Sequence, residues 1–136
     1  MYLLDTNVVS ELRRPRPHGA VLAWLKQSRD SDLFISAVTL GELQTGTEMT
    51  REHDALKAAE IEAWLDRVAQ TINILPMDDR TFRCWARLLH RRSKDIIEDA
   101  MIAATAIVHD LTVVTRNRKD FESFGVRLFD PFISSS

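Results

Sequence analysis

Several carboxylates stand where the surrounding residues would ordinarily be apolar. Asp5 follows the apolar run Met1–Leu4, Glu42 lies between Leu40 and Leu43, and Asp99 opens the alanine-rich run Ala100–Val108. A carboxylate buried without a partner either forfeits several kcal/mol or takes up a proton, so each of these needs a donor or a cation. No Lys or Arg adjoins Asp5 or Glu42 in the chain. Hard oxygen ligands without His or Cys suit Mg2+ or Mn2+, ions that activate water and clamp a phosphodiester. The other nucleophiles and ligands are poorly placed for chemistry. Cys84 has no evident activating His, and His18, His53, His90 and His109 lack zinc spacing.

Every acid also has a purely structural reading. Asp5 and Asn7 suit the cap of a first helix, and Thr39-Leu-Gly-Glu42 fits the Ser/Thr-x-x-Glu capping box. Asp95-x-x-Glu98 fits that box loosely, Glu98 reads as a cap or a solvated side chain, and Asp120 reads as a cap before Phe121. The capping readings weaken when the acids are taken together, since all project from strand ends or helix starts toward one sheet edge.

The elements that would place them there follow from periodicity. Met1–Leu4, Leu33–Ile35, Asn73–Leu75 and Leu111–Thr115 read as short buried strands, with a last strand near Val126–Leu128. Helices are expected around Val8–Leu12, after Gly19 through Leu25, and from Val38 to about Gly46. A long surface helix is expected over Arg51–Gln70 with Leu56, Ala59, Ala63, Leu65 and Val68 inward, another from Asp78-Asp79, and a buried one over Ile96–Val108. A short turn or helix surrounds Asp120-Phe121. This alternation implies an α/β fold, a small mostly parallel sheet sandwiched by helices, with its ligand site at the carboxyl ends of the strands. There Asp5 and Thr115-Arg116-Asn117 should face one crevice.

At 136 residues, 45% hydrophobic and 28% charged, the chain is expected to form one domain over residues 1–132, with residues 133–136 a flexible tail. One cysteine excludes an intrachain disulfide and a multi-cysteine metal motif, which fits the cytoplasm. Charges break the amino-terminal apolar stretch too early for a signal peptide, and no run is long enough to span a membrane. A net charge of −2 argues against global attraction to polyanions, but basic residues cluster locally at 13–16, at 83–94 and at 116–119.

Leu3-Leu4-Asp5-Thr6-Asn7, Ser36–Leu43, Glu98–Ala106 and Thr115–Phe121 together resemble the signature segments of PIN-domain ribonucleases. Their order and spacing resemble the VapC toxins of bacterial toxin–antitoxin pairs, including the FitB-like branch, from Met1 to about Phe132. The resemblance implies a PIN-like fold and a Mg2+-dependent endoribonuclease (Mn2+ possible) with Asp5, Glu42 and Asp99 as metal-binding and catalytic carboxylates. Thr6 and Thr115 are their hydroxyl neighbours. For the fourth acid Asp120 is favoured, with Asn117 as a polar site residue.

Arg116, Arg118 and Lys119 are the first candidates to hold RNA, followed by Arg91, Arg92 and Lys94. The implied partners are an RNA substrate, a cognate antitoxin and a second copy of the chain, with DNA reached only through the antitoxin. Trp24, Leu22, Leu25, Trp64 and Leu65 are expected to supply interface surface, core packing being the alternative. The rivals are a PIN-like domain that binds RNA without cutting it, a small phosphohydrolase, for which Asp5-Thr6-Asn7 lacks the Asp-x-Asp pair, and a pure interaction protein.

Overall fold

The computed structural model describes residues 1–133, so all of the tail expected at 133–136 except Ile133 lies outside the described residues. Five strands, β1 (Tyr2–Leu4), β2 (Leu33–Ser36), β3 (Asn73–Leu75), β4 (Thr112–Val114) and β5 (Leu128–Phe129), form one sheet in the order β3-β2-β1-β4-β5. Every pairing in it is parallel. The helices are α1 (Thr6–Glu11), α2 (Gly19–Gln27), α3 (Ala37–Arg51), α4 (Ala55–Thr71), α5 (Asp79–Leu89), α6 (Ile97–His109) and α7 (Arg118–Phe121).

Alternation along the central strands divides the core between two faces. Leu3 and Val113 point to one side, against Ala100, Ile102, Ala103 and Ala106 of α6 and against Phe121 and Phe124. Leu4, Val114 and Ile35 point to the other, against Val8 and Val9 of α1, Val21 of α2 and Val68 of α4. The alanine-rich sequence of α6 lets its backbone approach the sheet closely, which brings the start of that helix beside the end of β1.

Several expectations are corrected. Helix α3 runs past Gly46 to Arg51, because Thr45, Thr47 and Thr50 return hydroxyl bonds to the preceding turn and Arg51 is held by Glu48 and Glu62. Helix α4 therefore starts only at Ala55, capped by Asp54, whose carboxylate accepts from Lys57 N at 3.0 Å. Its inward face is Ala58, Leu65 and Val68, and Leu56 is 83% exposed. The last strand lies at 128–129 because Val126 turns into the core, and pairing begins only where Val113 N donates to Arg127 O. The proposed interface residues mostly pack inward. Leu65 is buried, Trp64 and Leu25 pack on the core, and Trp24 meets Tyr2 edge-on.

Candidate active site at the carboxyl edge of the sheet

Asp5 leaves the end of β1, the middle strand of the sheet, and its carboxylate is only 6% exposed. Oδ1 accepts from Thr6 N at 2.8 Å, while Oδ2 accepts from Thr115 Oγ1 at 2.8 Å and Asn7 Nδ2 at 3.0 Å. The bond to Thr6 N makes Asp5 the cap of α1, as its structural reading required, but the other two bonds tie it to the end of β4. Thr115 Oγ1 also accepts from Asn117 N at 3.0 Å and from Asn7 Nδ2 at 3.2 Å, and Asn7 Oδ1 accepts from Arg116 N at 3.2 Å. One polar network thus locks the two adjacent strand ends together, and Asp5 receives donors on both oxygens without meeting a cation.

The capping box expected at Glu42 is absent. Ser36 caps α3, its hydroxyl accepting from Val38 N at 3.1 Å, and Thr39 lies inside the helix with its hydroxyl 3.3 Å from that of Thr6. Glu42 is left in the second turn with Oε1 buried and without a hydrogen-bond partner. Burial pushes its carboxyl up to about 7, with further upward pressure from Asp5, Glu98 and Asp99 and some relief from the Thr6 hydroxyl. Asp99 sits in the first turn of α6, whose cap residue Ile96 makes no side-chain bond. Burial first, then Asp5, Asp120 and Glu98, push Asp99 up to about 6. Asp5 itself is raised by burial, against the lowering effect of its three donors, with Asp120 adding to the rise.

Asp5 and Glu98 act on both Glu42 and Asp99, and Asp120 acts on Asp5 and Asp99, so the five acids are electrostatic neighbours. Asp120 is exposed in α7, where Asn117 occupies the cap position without a side-chain bond. It lines an open recess of about 520 Å³ together with Arg116, Asn117, Arg118, Lys119 and Glu122. Glu42 and Glu98 line a second recess of about 590 Å³ with Val38, Gly41, Ile97 and Met101. Among the described residues no three His, Cys, Asp or Glu groups are already drawn together as a metal cage. Repulsion of about 4 kcal/mol for a like-charged pair 4 Å apart at an effective dielectric of 20 opposes a closer approach of ionised carboxylates without a cation. A buried carboxylate oxygen without a donor, amid other acids and no Lys or Arg partner, has the donor chemistry a hard divalent cation satisfies.

Two residues gain weight that their sequence positions did not suggest. Asn7 bridges both strand ends, and its signal was its place two residues after a strand-terminal Asp. Glu98 acts on both Glu42 and Asp99 and is no cap. One residue loses its expected place: Arg92 is spent on Ser123, through Oγ at 2.6 Å and the carbonyl at 2.9 Å, and lies over the Phe124 ring.

The PIN domain family matches residues 2–126. Toxin FitB from Neisseria gonorrhoeae is 35% identical over 142 residues, with 97% of this chain and 99% of that protein covered. VapC ribonuclease Y4jK from Sinorhizobium fredii is 34% identical over 143 residues, covering 97% of this chain and 98% of that one. The crystal structure of FitAcB from Neisseria gonorrhoeae superposes with a TM-score of 0.81 at 34% identity, covering 97% and 99% of the two chains. A structure of FitAB bound to a DNA fragment superposes with a TM-score of 0.74 at 30% identity, over 100% and 99%.

Proposed function

The chain belongs to the PIN-domain family, among the VapC and FitB toxins, and on that premise we propose that it is a Mg2+-dependent endoribonuclease, the toxin of a type II toxin–antitoxin pair. Asp5, Glu42, Asp99 and Asp120 would hold the metal, Mn2+ substituting for Mg2+. The observation that carries this reading is the buried, unpartnered Oε1 of Glu42, on a carboxyl that Asp5, Glu98 and Asp99 all push upward. Helix capping leaves that oxygen unexplained, and so does a binding module, which gains nothing from a strained carboxylate cluster.

When bound, the metal supplies an activated water and neutralises charge on the scissile phosphate. The chain's own residues prepare for it. Thr115 and Asn7 hold the Asp5 carboxylate in one rotamer, and Thr6 supports Glu42. Only ionised carboxyls ligate, so Glu42 and Asp99, raised to about 7 and about 6, would have to give up any proton they hold for a metal to bind. Arg116, Arg118 and Lys119 ring the neighbouring recess and hold the RNA backbone against the repulsion of the acids, with Asn117 beside them.

The relative named Toxin FitB and the FitAB structure bound to a DNA fragment support an antitoxin partner, through which we expect any DNA contact of this chain to run. We place the complex in the cytoplasm and read residues 1–132 as its single toxin domain. A homodimer is expected to use the outer edge of α2, where Trp24, Ala20 and Ala23 meet the exposed Phe129 and Ile133.

The experiment is incubation of purified protein with RNA in Mg2+ and in EDTA, beside the Asp99→Asn variant. Cleavage that needs Mg2+ and is lost with Asp99→Asn supports the reading. Equal cleavage in Mg2+ and EDTA, or full activity of Asp99→Asn, overturns it.

A further inference from the structure

We propose that the face of α5 carrying Arg80, Arg83 and Arg87 is a second RNA-holding surface, which grips the phosphate backbone of the substrate strand beyond the acid cluster. This rests on the ribonuclease reading for the identity of the strand. Residues 80, 83, 84 and 87 recur at helical spacing, so they form one stripe, and with Ile107 and Val108 of α6 they enclose a groove of about 370 Å³. All three guanidinium groups are exposed, and among the described residues none of them makes an ion pair.

A merely solvated helix mixes charges of both signs, as α4 does with Lys57, Glu60, Glu62, Asp66 and Arg67, or pairs them, as Arg51 is paired with Glu48 and Glu62. From Arg80 to Leu89, α5 carries basic charges only. Of the two acids at its start, Asp78 is spent on capping, its carboxylate accepting from Thr81 N at 2.9 Å and from Thr81 Oγ1 at 2.7 Å, and Asp79, though it adjoins Arg80, makes no ion pair with any of the three arginines.

The position of the groove selects RNA over an acidic protein. Helices α5 and α6 lie antiparallel, with Asp78 beside His109 at one end and Trp85 Nε1 donating to Ile97 O at the other. Ile97, Met101 and Val108 fall on one face of α6 at helical spacing. The first two line the recess that holds Glu42 and Glu98, and the third lines the arginine groove. A strand leaving the acid cluster along α6 therefore reaches the arginines about 14 Å from Asp99, at 1.5 Å per residue. With a net charge of −2 and an acidic crevice, the protein needs such a local cationic track to retain a polyanion.

The test compares the Arg80→Gln/Arg83→Gln/Arg87→Gln triple variant with a control that removes the same charge elsewhere, Arg13→Gln/Arg16→Gln/Arg67→Gln. Binding of a fluorescein-labelled single-stranded RNA dodecamer of mixed sequence is followed by anisotropy across a salt series, with Asp99→Asn added to each protein so that the RNA stays intact. Melting temperatures verify folding. The groove variant should bind roughly 10- to 100-fold more weakly, with the log–log salt slope shallower by about 2, from about 0.7 per lost contact, while the control stays near native. Native affinity in the groove variant, or an equal loss in both triples, overturns the proposal. So does a polyglutamate peptide that binds through these arginines while RNA affinity is untouched. RNA that is held through the groove yet left uncut by the protein with Asp99 intact sinks the ribonuclease reading alone.

Discussion

Thr115 Oγ1 donates to Asp5 Oδ2 across 2.8 Å, in a buried bond between residues 110 positions apart in the chain. Through it the ends of β1 and β4 share one polar centre, because the same hydroxyl accepts from Asn117 N and Asn7 Nδ2. The carboxylate at the heart of the site is thus positioned by a residue of the neighbouring strand.

Replacing that hydroxyl with a methyl group should be costly. Thr115→Val leaves Asp5 short of its strongest side-chain donor, strands Asn117 N and costs Asn7 Nδ2 one of its two acceptors, with an expected loss of about 1–3 kcal/mol. RNA cleavage should fall at least about tenfold, as expected when a positioned metal ligand loses its supporting bond. Thr115→Ser should retain both properties. Chemical denaturation and a cleavage assay check this, and a Val variant with native stability and activity refutes the positioning role.

Amide replacements should divide the acids. Asn caps as well as Asp does, so a capping reading alone makes Asp5→Asn and Asp99→Asn silent, and a repulsion reading alone makes both stabilising. The bonding separates them. Both oxygens of Asp5 accept bonds, so an amide nitrogen there meets donors, and Asp5→Asn should lower the melting temperature in EDTA. Glu42→Gln and Asp99→Asn remove charge from groups that burial and neighbouring acids disfavour, and should raise it by roughly 2–6 °C. All three should lose the stabilisation that Mg2+ gives by mass action, whereas Asp78→Asn, at the start of α5, should keep it. Scanning calorimetry with and without Mg2+ decides, and a Mg2+ shift retained by Glu42→Gln counts against its role as a ligand.

Stability of the metal-free protein should depend on pH with a definite sign. In the folded state Glu42 is raised from 4.5 to about 7 and Asp99 from 3.8 to about 6, so between those limits the folded chain binds more protons than the unfolded one. Their contribution is full below pH 4 and is lost as pH rises through 6 to 7. In EDTA, the native protein should therefore lose more stability between pH 5 and pH 8 than the Glu42→Gln/Asp99→Asn double variant does. Mg2+ affinity should rise over the same window, because binding expels those protons. Identical pH profiles for the two proteins would remove the basis of this prediction.

Arg92 should behave as a structural tie. Its guanidinium bonds Ser123 and covers Phe124, so Arg92→Ala should cost roughly 0.5–1.5 kcal/mol by denaturant titration. Its RNA affinity should match that of a single-charge loss at Arg67. A selective loss of RNA binding would return Arg92 to the nucleic-acid surface.

The elements were largely legible in the chain because local rules govern them. Period-two and period-3.6 patterns place β1 to β4 and the cores of α4 to α6, and an acid directly after an apolar strand must lie at a sheet edge. That reasoning reached Asp5 and Thr115 without coordinates, and Asp99 stood out separately as a carboxylate opening a buried alanine-rich run. Ends and partners were less legible, since they depend on residues distant in sequence. Helix α3 passes Gly46 because Arg51 finds Glu62 on α4, and the last strand starts two residues late because Val126 is drawn into the core.

Side-chain roles were least legible. A capping box and a metal ligand look alike in sequence, and only the bond from Ser36 to Val38 N leaves Glu42 free of capping. Likewise, basic residues at 83, 87 and 92 read as similar surface charges until packing sends Arg92 to Phe124 and leaves Arg83 and Arg87, joined by Arg80, along one groove. Sequence determines which face a residue occupies through its spacing along the chain. What stands opposite that face, and so whether a charge is satisfied or left for a ligand, is decided by contacts between segments that local pattern does not encode.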